Sequence, residues 1–166
     1  YNFSYSIENP GLPYQMVSSI INETDFTVAD TIIWKKNNSI PHPASYNRLN
    51  RLVEFIYVFA RKKEMKTFNC YKSVSKVSPK GQKYYNIVNN FVTAKNNDGS
   101  CDLNKATYST ELCNKLLSIY TKENDVIFDP FIGIGTTAIA CKSMKRHYIG
   151  SEISTEQVKY ARNKLQ

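Results

Sequence analysis

The sequence predicts an α/β fold, and three observations support this class. Residues 125–152 read in order as an apolar strand, a turn with two glycines, a helix and a second strand, which together make a βαβ unit. The run "FIYVF" at residues 55–59 is continuously apolar, which is typical of a strand buried on both faces of a parallel sheet. Apolar residues at helical spacing occur between and beyond these strands. Strands that alternate with helices indicate an α/β domain.

Residues 2–62 are predicted to hold three strands and one helix. The alternating pattern in "NFSYSIEN" predicts a strand that Pro10 and Gly11 end. The elements that follow, in chain order, are a helix in "PYQMVSSIINET", a strand in "FTVADTIIWKK", a proline-broken loop in "NNSIPHPAS" and a strand in "LVEFIYVFARKK".

The periodicity fades between Lys62 and about Asn104, where lysines, asparagines and aromatic residues follow one another without fixed spacing. We interpret this stretch as a loop-rich inserted subdomain. Its small core is expected to come from six apolar residues: Tyr84, Tyr85, Ile87, Val88, Phe91 and Val92.

Regular structure is predicted again from residue 109 to the end. Ser109 or Thr110 can cap a helix, and Ser154 and Gln157 stand at the spacing of a capping box before the last helix. Between these two helices lie a short buried strand in "DVIFD", a helix in "TTAIACKSMK" and a strand in "HYIGSEI".

The positive charge is concentrated in the middle of the chain. Residues 35–105 contain 14 Lys and Arg against 4 Asp and Glu, whereas the rest of the chain has 8 against 10. A local excess of this kind is expected of a surface that meets a phosphate backbone. A solvated lysine-rich insertion would give the same count, so charge alone leaves both interpretations open.

The cysteines and histidines indicate neither a disulfide framework nor a metal centre. Four cysteines are scattered without a CxxC pair, and the two histidines are far apart. No apolar stretch reaches the length of a membrane span. We therefore expect reduced thiols and a cytoplasmic location.

The turn "FDPFIGIGTT" has the composition of a ligand-binding loop. Gly133 and Gly135 allow open dihedrals and a close approach of the backbone to a ligand. Thr136 and Thr137 stand where hydroxyls and free N–H groups at a helix start can hold a polar group. In doubly wound sheets, ligands bind at the carboxyl ends of strands.

Two carboxylates extend this prediction to a nucleoside cofactor. Asp129 is at the end of one strand, and Glu152, 23 residues later, is at the end of the next, where an acidic side chain can accept both hydroxyls of a ribose. A tight turn beside a solvated glutamate is the alternative. NAD is disfavoured because Ala138 stands where its fingerprint has a third glycine.

Several segments resemble the beta class of DNA amino-methyltransferases, which modify adenine N6 or cytosine N4. "DPFIGIGTTAIA" matches the family pattern D-P-F-x-G-S-G-T-T except at Ile134, and "NKATYSTEL" resembles H-P-A-x-F-P-x-x-L, with Tyr108 at its aromatic position. In the second pattern Asn104, Lys105 and Ser109 replace His, Pro and Pro. The other similar segments are "RHYIGSEIS", "QVKYARNKL", "TIIWKKNNSIPHP" and "RLVEFIYVFARKK".

This resemblance implies a Rossmann-like fold with a doubly wound, mostly parallel sheet and S-adenosyl-L-methionine as cofactor. It divides the chain into part of the catalytic half (1–62), a basic target-recognition insertion (63–104) and the cofactor-binding half (105–166). Phe131 would stand near the cofactor's sulfonium, where an aromatic face gains cation–π attraction, although a buried core position would also suit it. The implied cofactor-binding residues are Tyr108, Ser109, Asp129, Pro130, Phe131, Gly133, Gly135, Thr136, Thr137 and Glu152.

The family's catalytic motif, [D/N/S]-P-P-[Y/F/W], does not occur in the 166 residues, so the catalytic residues stay unassigned. "NPGLPY" at residues 9–14 has two extra positions, and Tyr1-Asn2 would be the end of such a motif only if the intervening segment were unusually short. We expect the sequence to begin after the catalytic loop. A further N-terminal part or another chain would then supply the motif. A homodimer stays open as a separate assembly.

The resemblance also makes the basic middle segment the expected contact with double-stranded DNA. Base reading is expected of Asn69, Gln82, Asn86 or Asn89, and stacking of Tyr71, Tyr84 or Tyr85, unless these aromatics form a small core. The expected phosphate contacts are Lys35, Lys36, Arg48, Arg51, Lys62, Lys63, Lys66, Lys72, Lys76, Lys80 and Lys83.

Two other functions remain open at this point. A non-catalytic module that binds DNA or the cofactor would keep the fold without the catalytic motif. A methyltransferase that acts on RNA or protein is the third hypothesis, and the lysine-rich segment together with "DPFIGIGTT" argues against it.

Overall fold

A computed structural model describes residues 11–37, 52–99, 101–104 and 106–166. These residues form two compact units. The first holds the described residues up to Asn69 together with Asn89–Thr93, and the second holds those of Cys70–Val88 and Ala94–Gln166. The predicted N-terminal strand "NFSYSIEN" and the loop "NNSIPHPAS" lie outside, or almost wholly outside, the described residues.

The first unit is built from four elements. The last of them is a strand whose final residue, Ala94, groups with the second unit. The four elements are α1 (Leu12–Glu23), β1 (Phe26–Lys36), β2 (Val53–Arg61) and β5 (Phe91–Ala94), and a short 3₁₀ turn (Lys62–Glu64) follows β2. The strand order is β2-β1-β5. The buried apolar residues of this sheet include Ile32 and Trp34 on β1 and Ile56 on β2.

Strand β2 differs from its prediction in the direction of its neighbour. It pairs antiparallel with β1, from Phe26 opposite Arg61 to Lys35 opposite Val53, with an irregularity between Val28 and Asp30. The expectation of a parallel neighbour was wrong because an apolar run reports burial on two faces and carries no information about strand direction.

The middle of the chain folds as a hairpin and not around the expected small core. β3 (Val74–Val77) pairs antiparallel with β4 (Lys83–Tyr85). Tyr85 is 55% exposed and Ile87 86% exposed, whereas Val92 is buried in β5. Two strands of three and four residues offer too little surface to bury such side chains, so the predicted core does not form.

The second unit contains the predicted βαβ motif. Its elements besides the hairpin are α2 (Thr110–Tyr120), β6 (Val126–Asp129), α3 (Thr136–Ser143), β7 (His147–Gly150) and α4 (Thr155–Leu165). β6 and β7 are parallel, with Asp129 opposite Gly150 at their carboxyl ends. Both predicted helix caps are confirmed: Ser109 Oγ accepts the N–H of Leu112, and Ser154 Oγ accepts the N–H of Gln157. The second hydrogen bond of a capping box is not made, because the Ser154 N–H donates to Glu152 and the Gln157 side chain accepts from Asn104.

One face of the β6–β7 pair is covered and the other is exposed. Ile127 packs against a cluster of Cys113, Leu117, Ala140 and Cys141 from α2 and α3. On the opposite face Val126, Phe128 and Ile149 are each more than half exposed. The prediction of a buried strand in "DVIFD" therefore holds for one face only, because no helix of the described part covers the other.

Among the described residues, no helix combines the length and the apolar character that crossing a membrane requires.

Candidate functional site

The turn between β6 and α3 requires its two glycines for backbone geometry and for packing. Gly133 and Gly135 have φ of +53° and +89°, in the left-handed region that side chains other than glycine rarely adopt. A Cβ on Gly133 would lie 3.0 Å from the Asn104 amide nitrogen, and one on Gly135 would lie 3.0 Å from Ala161 Cβ. Neighbouring side chains therefore fill the space that the glycines leave. The turn is thereby fixed against α4 and against the segment before α2.

Asp129 is the centre of a hydrogen-bond network at the end of β6. Its Oδ1 accepts the backbone N–H of Phe131 at 3.0 Å. Its Oδ2 accepts the hydroxyl of Thr137 at 2.6 Å and that of Tyr108 at 3.1 Å, and the two hydroxyl oxygens are 2.8 Å apart. The carboxylate therefore joins the strand end, the first turn of α3 and the segment before α2.

Glu152 connects the same turn to the start of α4. Its Oε2 accepts the backbone N–H of Gly133 at 3.1 Å, and its Oε1 accepts that of Ser154 at 2.8 Å. The parallel register brings Asp129 beside Gly150, so the two carboxylates stand at the ends of neighbouring strands. Each carboxylate oxygen of Glu152 keeps a lone pair beyond its one N–H donor, because a carboxylate oxygen accepts two hydrogen bonds.

Apolar side chains are exposed beside both carboxylates. Phe131 is 71% exposed, which contradicts the alternative that it is a core residue. Pro130 is exposed as well. Ile153, directly after Glu152, is fully exposed and was not predicted as a site residue.

Ser109 and Thr136 have different surroundings. The Ser109 side chain is fully buried, and its hydroxyl donates to the Lys95 carbonyl at 2.7 Å while capping α2, so the structure does not bring it to the turn surface. Thr136 lines a polar cleft of about 100 Å³ together with Tyr108. The remaining lining residues of this cleft include Asp98, Thr110, Tyr160 and Lys164.

Burial keeps three groups near this site protonated. It raises the pKa of the Tyr108 phenol far above its usual value of 10, so the hydroxyl is a donor at neutral pH. It also raises the pKa of the Cys113 thiol to about 12 and that of the Cys141 thiol above its usual range. Neither thiol is therefore a nucleophile at neutral pH.

No group of three or more His, Cys, Asp and Glu side chains is arranged to hold a metal ion in the part of the chain that the structure describes.

Two of the lysines expected to contact phosphates make side-chain contacts within the first unit, and seven others are exposed. Lys36 forms an ion pair with Glu54 and lies over the Trp34 ring. Lys62 donates to the carbonyls of Ile21, in the last turn of α1, and of Thr24, which caps that helix. Lys35, Lys63, Lys66, Lys72, Lys76, Lys80 and Lys83 are exposed. Arg48 and Arg51 lie outside the described residues.

Four of the exposed lysines belong to one hairpin. Residues 70–88 contain Lys72, Lys76, Lys80 and Lys83 and no acidic residue. Lys80 is in the turn at the tip, which is closed by hydrogen bonds between Ser78 and Gln82 and has Gly81 at φ +80°.

The residues expected to read or stack on bases are also concentrated on the hairpin. Tyr84 and Tyr85 are exposed, and the Lys76 ammonium lies 5.0 Å from the Tyr84 ring centroid. The Asn86 amide donates to Ser73 Oγ at 2.7 Å, and the Gln82 side chain accepts from the Tyr84 hydroxyl at 3.4 Å. Asn69 and Asn89 are exposed, and the Tyr71 ring lies 4.6 Å from the Lys122 ammonium.

A parallel βαβ unit with a glycine turn and a carboxylate at each strand end defines the nucleoside-binding class of α/β proteins. Comparison with protein families assigns the chain to one family within this class. The family model described as DNA methylase (N6_N4_Mtase) matches residues 3–163, and the chain belongs to this family. Both the α/β class and the family expected from the resemblance are confirmed.

Two curated relatives are type II methyltransferases. M.Cfr9I of Citrobacter freundii is 28% identical over 161 residues, which cover 94% of this chain and 50% of the relative. M.HinfI of Haemophilus influenzae is 29% identical over 153 residues, covering 90% of this chain and 42% of the relative. The chain thus spans about half the length of the curated relatives it matches.

Solved structures show the same fold. The M1.HpyAVI–SAM complex is 29% identical with a TM-score of 0.70, covering 99% of this chain and 72% of that one. The cytosine-N4-specific PvuII DNA methyltransferase has a TM-score of 0.72 at 16% identity, covering 98% and 61% of the two chains.

Proposed function

We propose that this chain is part of a DNA methyltransferase that transfers a methyl group from S-adenosyl-L-methionine to an exocyclic base amine, adenine N6 or cytosine N4. The observation that carries the proposal is the pair of carboxylates, Asp129 and Glu152, at the ends of two parallel strands around a buried glycine turn. Membership of the DNA methylase family and the similarity to the M1.HpyAVI–SAM complex support it.

The residues around the turn fit this cofactor. Glu152 has two oxygens with spare lone pairs, which suits the two hydroxyls of a ribose. Asp129 would accept from the ammonium group of the methionine part, and the exposed Phe131 ring would lie near the sulfonium. When bound, the cofactor supplies an electrophilic methyl group.

The role of these residues is to bind and orient, because they include no group that would activate a base amine. In this family the motif [D/N/S]-P-P-[Y/F/W] holds the target amine, and the 166 residues do not contain it. We therefore expect methyl transfer to need residues outside this sequence, from the same polypeptide or from a different chain. The target base would be turned out of the duplex to reach the site.

The basic hairpin is the proposed contact with double-stranded DNA. A two-stranded ribbon has the dimensions that the major groove of B-DNA admits. The hairpin is anchored by the N–H of Tyr71, which donates to the carbonyl of Ile119 in α2 at 2.7 Å. Its lysines would contact phosphates and position the duplex, while nearby amides and aromatics would meet the bases.

The experiment that tests the function measures binding and transfer with the same preparation. Isothermal titration is expected to show binding of S-adenosylhomocysteine with a stoichiometry of one. Single-turnover incubation with methyl-labelled cofactor and duplex DNA is expected to give no incorporation. Absence of binding would refute the proposed cofactor site, and incorporation by these residues alone would refute the need for further residues.

A non-catalytic module that binds cofactor or DNA is the second candidate, and the missing tetrapeptide is the observation that favours it. An in-frame tetrapeptide in the coding sequence before Tyr1 would decide for the enzyme. We place either form in the cytoplasm, where the four cysteines stay reduced.

A further inference from the structure

The hydroxyl of Tyr108 lies where three elements of the second unit meet. It is within hydrogen-bond distance of Asp129 Oδ2 (3.1 Å), at the end of β6, and of Thr137 Oγ1 (2.8 Å), in the first turn of α3. Tyr108 itself directly precedes Ser109, the cap of α2. Its hydroxyl therefore joins the segment before α2 to both ends of the glycine turn.

The segment that carries Tyr108 is firmly held. The Ser109 hydroxyl donates to the carbonyl of Lys95 at 2.7 Å. The backbone N–H of Thr110 donates to Asp98 Oδ2 at 2.7 Å, and its hydroxyl reaches the same oxygen. The Tyr108 ring packs against the buried cluster of Cys113, Leu117, Ala140 and Cys141. These contacts determine where the Tyr108 hydroxyl lies, and none of them involves that hydroxyl itself.

The direction of the hydrogen bonds follows from the protonation states. The Tyr108 phenol keeps its proton because burial raises its pKa, and a carboxylate can only accept. The Tyr108 proton faces Asp129 Oδ2 at 3.1 Å and Thr137 Oγ1 at 2.8 Å, and Thr137 itself donates to Oδ2 at 2.6 Å. The phenol therefore reaches the carboxylate both directly and through Thr137, while Oδ1 accepts from Phe131. Donors from the glycine turn, from α3 and from the segment before α2 fix the orientation of the Asp129 carboxylate. Among the described residues Phe131 is the one donor to Oδ1, which leaves a lone pair of that oxygen for a ligand.

We propose that Tyr108 is a positioning residue, whose hydroxyl holds the Asp129 carboxylate in the orientation that receives the ammonium group of the cofactor's methionine part. This inference rests on the proposed function. It also separates the two contributions of Tyr108: the ring packs the core, and the hydroxyl orients Asp129.

The test compares two ligands that differ only in the amino-acid part. S-adenosylhomocysteine carries the ammonium group, and 5′-methylthioadenosine has the same nucleoside and thioether without it. Tyr108→Phe keeps the ring and removes the hydroxyl. We expect this variant to bind S-adenosylhomocysteine about 3- to 15-fold more weakly, as for loss of one hydrogen bond, with unchanged affinity for 5′-methylthioadenosine. Tyr148→Phe, on β7 and outside the network, is the matched control and should change neither affinity.

Each outcome is informative. An equal loss for both ligands would show that the hydroxyl only stabilises the pocket, and no loss for either would show that it does not orient Asp129; both results overturn the inference and leave the proposed function intact. If the unchanged chain binds neither ligand, the proposed function fails as well. Should Tyr108→Phe unfold in thermal melts, Thr137→Val removes the other hydroxyl donor and must show the same ligand-selective loss for the inference to stand.

Discussion

The Glu152 carboxylate accepts the backbone N–H of Gly133 across the ends of two parallel strands, at 3.1 Å. Its other oxygen accepts the N–H of Ser154 at the start of α4. One side chain thus fixes the glycine turn and the following helix, and its remaining lone pairs point to a role in binding hydroxyl groups. The site is organised before any ligand arrives, which lowers the ordering cost of binding.

This relationship predicts the behaviour of Glu152→Gln. An amide places one N–H₂ group where the carboxylate accepts, so it cannot serve two backbone donors and two ribose hydroxyls at once. We expect the affinity for S-adenosylhomocysteine to fall about 10- to 100-fold, as for loss of charge-assisted hydrogen bonds. Isothermal titration measures the change. Glu156→Gln, one residue into α4, is the matched control and should bind as the unchanged chain does; equal affinities for all three proteins would contradict the ribose contact.

The exposed hairpin predicts how DNA binding depends on salt. Lys80 lies in the tip turn of a hairpin that contains no acidic residue. If it neutralises one phosphate, Lys80→Ala should reduce the slope of log affinity against log salt by about 0.9. Fluorescence anisotropy with a labelled duplex at several salt concentrations gives this slope.

The control for the hairpin is a lysine of equal charge in another element. Lys159 is exposed on α4, and Lys159→Ala should leave the salt slope unchanged. The same loss of slope in both variants would mean that the chain binds DNA through its net charge and not through the hairpin.

The sequence predicted local structure better than it predicted tertiary contacts. The caps at Ser109 and Ser154 and the βαβ order depend on neighbours in the chain, so pattern and spacing were enough to find them. The antiparallel pairing of β2 and the exposed face around Phe128 depend on tertiary contacts. An apolar run in the sequence does not indicate which strand or helix will pack against it.

In the candidate site, too, local features could be predicted from the sequence and tertiary contacts could not. Asp129 and Glu152 were predicted because strand ends can be read from the sequence, and the structure places them at the ends of two neighbouring parallel strands. The link from Tyr108 to Asp129 spans 21 residues and depends on a hydroxyl in the packed interior, so no spacing rule reveals it. Ser109 stands where the family pattern has a proline, and its hydroxyl is used to cap α2. The DNA-binding role of Lys36 stays a prediction beside its ion pair with Glu54.

The buried thiol of Cys113 predicts a loss of stability at high pH. Burial raises its pKa in the folded chain to about 12, above the ordinary value of 9.0 that the unfolded chain is expected to have. Above pH 9 the unfolded state loses this proton while the folded state keeps it. The stabilising contribution is therefore complete below pH 9 and is lost as the pH rises towards 12, by at most about 1.4 kcal/mol per pH unit for one proton. Tyr108, whose pKa is raised from 10.0 for the same reason, adds to this loss above pH 10.

Urea unfolding at pH 7, 9, 10 and 10.5 measures the effect, and Cys113→Ala separates it from general alkaline destabilisation. Removing the thiol creates a small cavity and lowers stability at every pH, but it also removes one titrating group. The free energy of unfolding of Cys113→Ala should therefore decline less steeply between pH 9 and 10.5 than that of the unchanged chain. Cys101→Ala, at a partly exposed thiol, is the control and should keep the original slope. Identical slopes in all three proteins would show that the Cys113 thiol titrates alike in the folded and unfolded states.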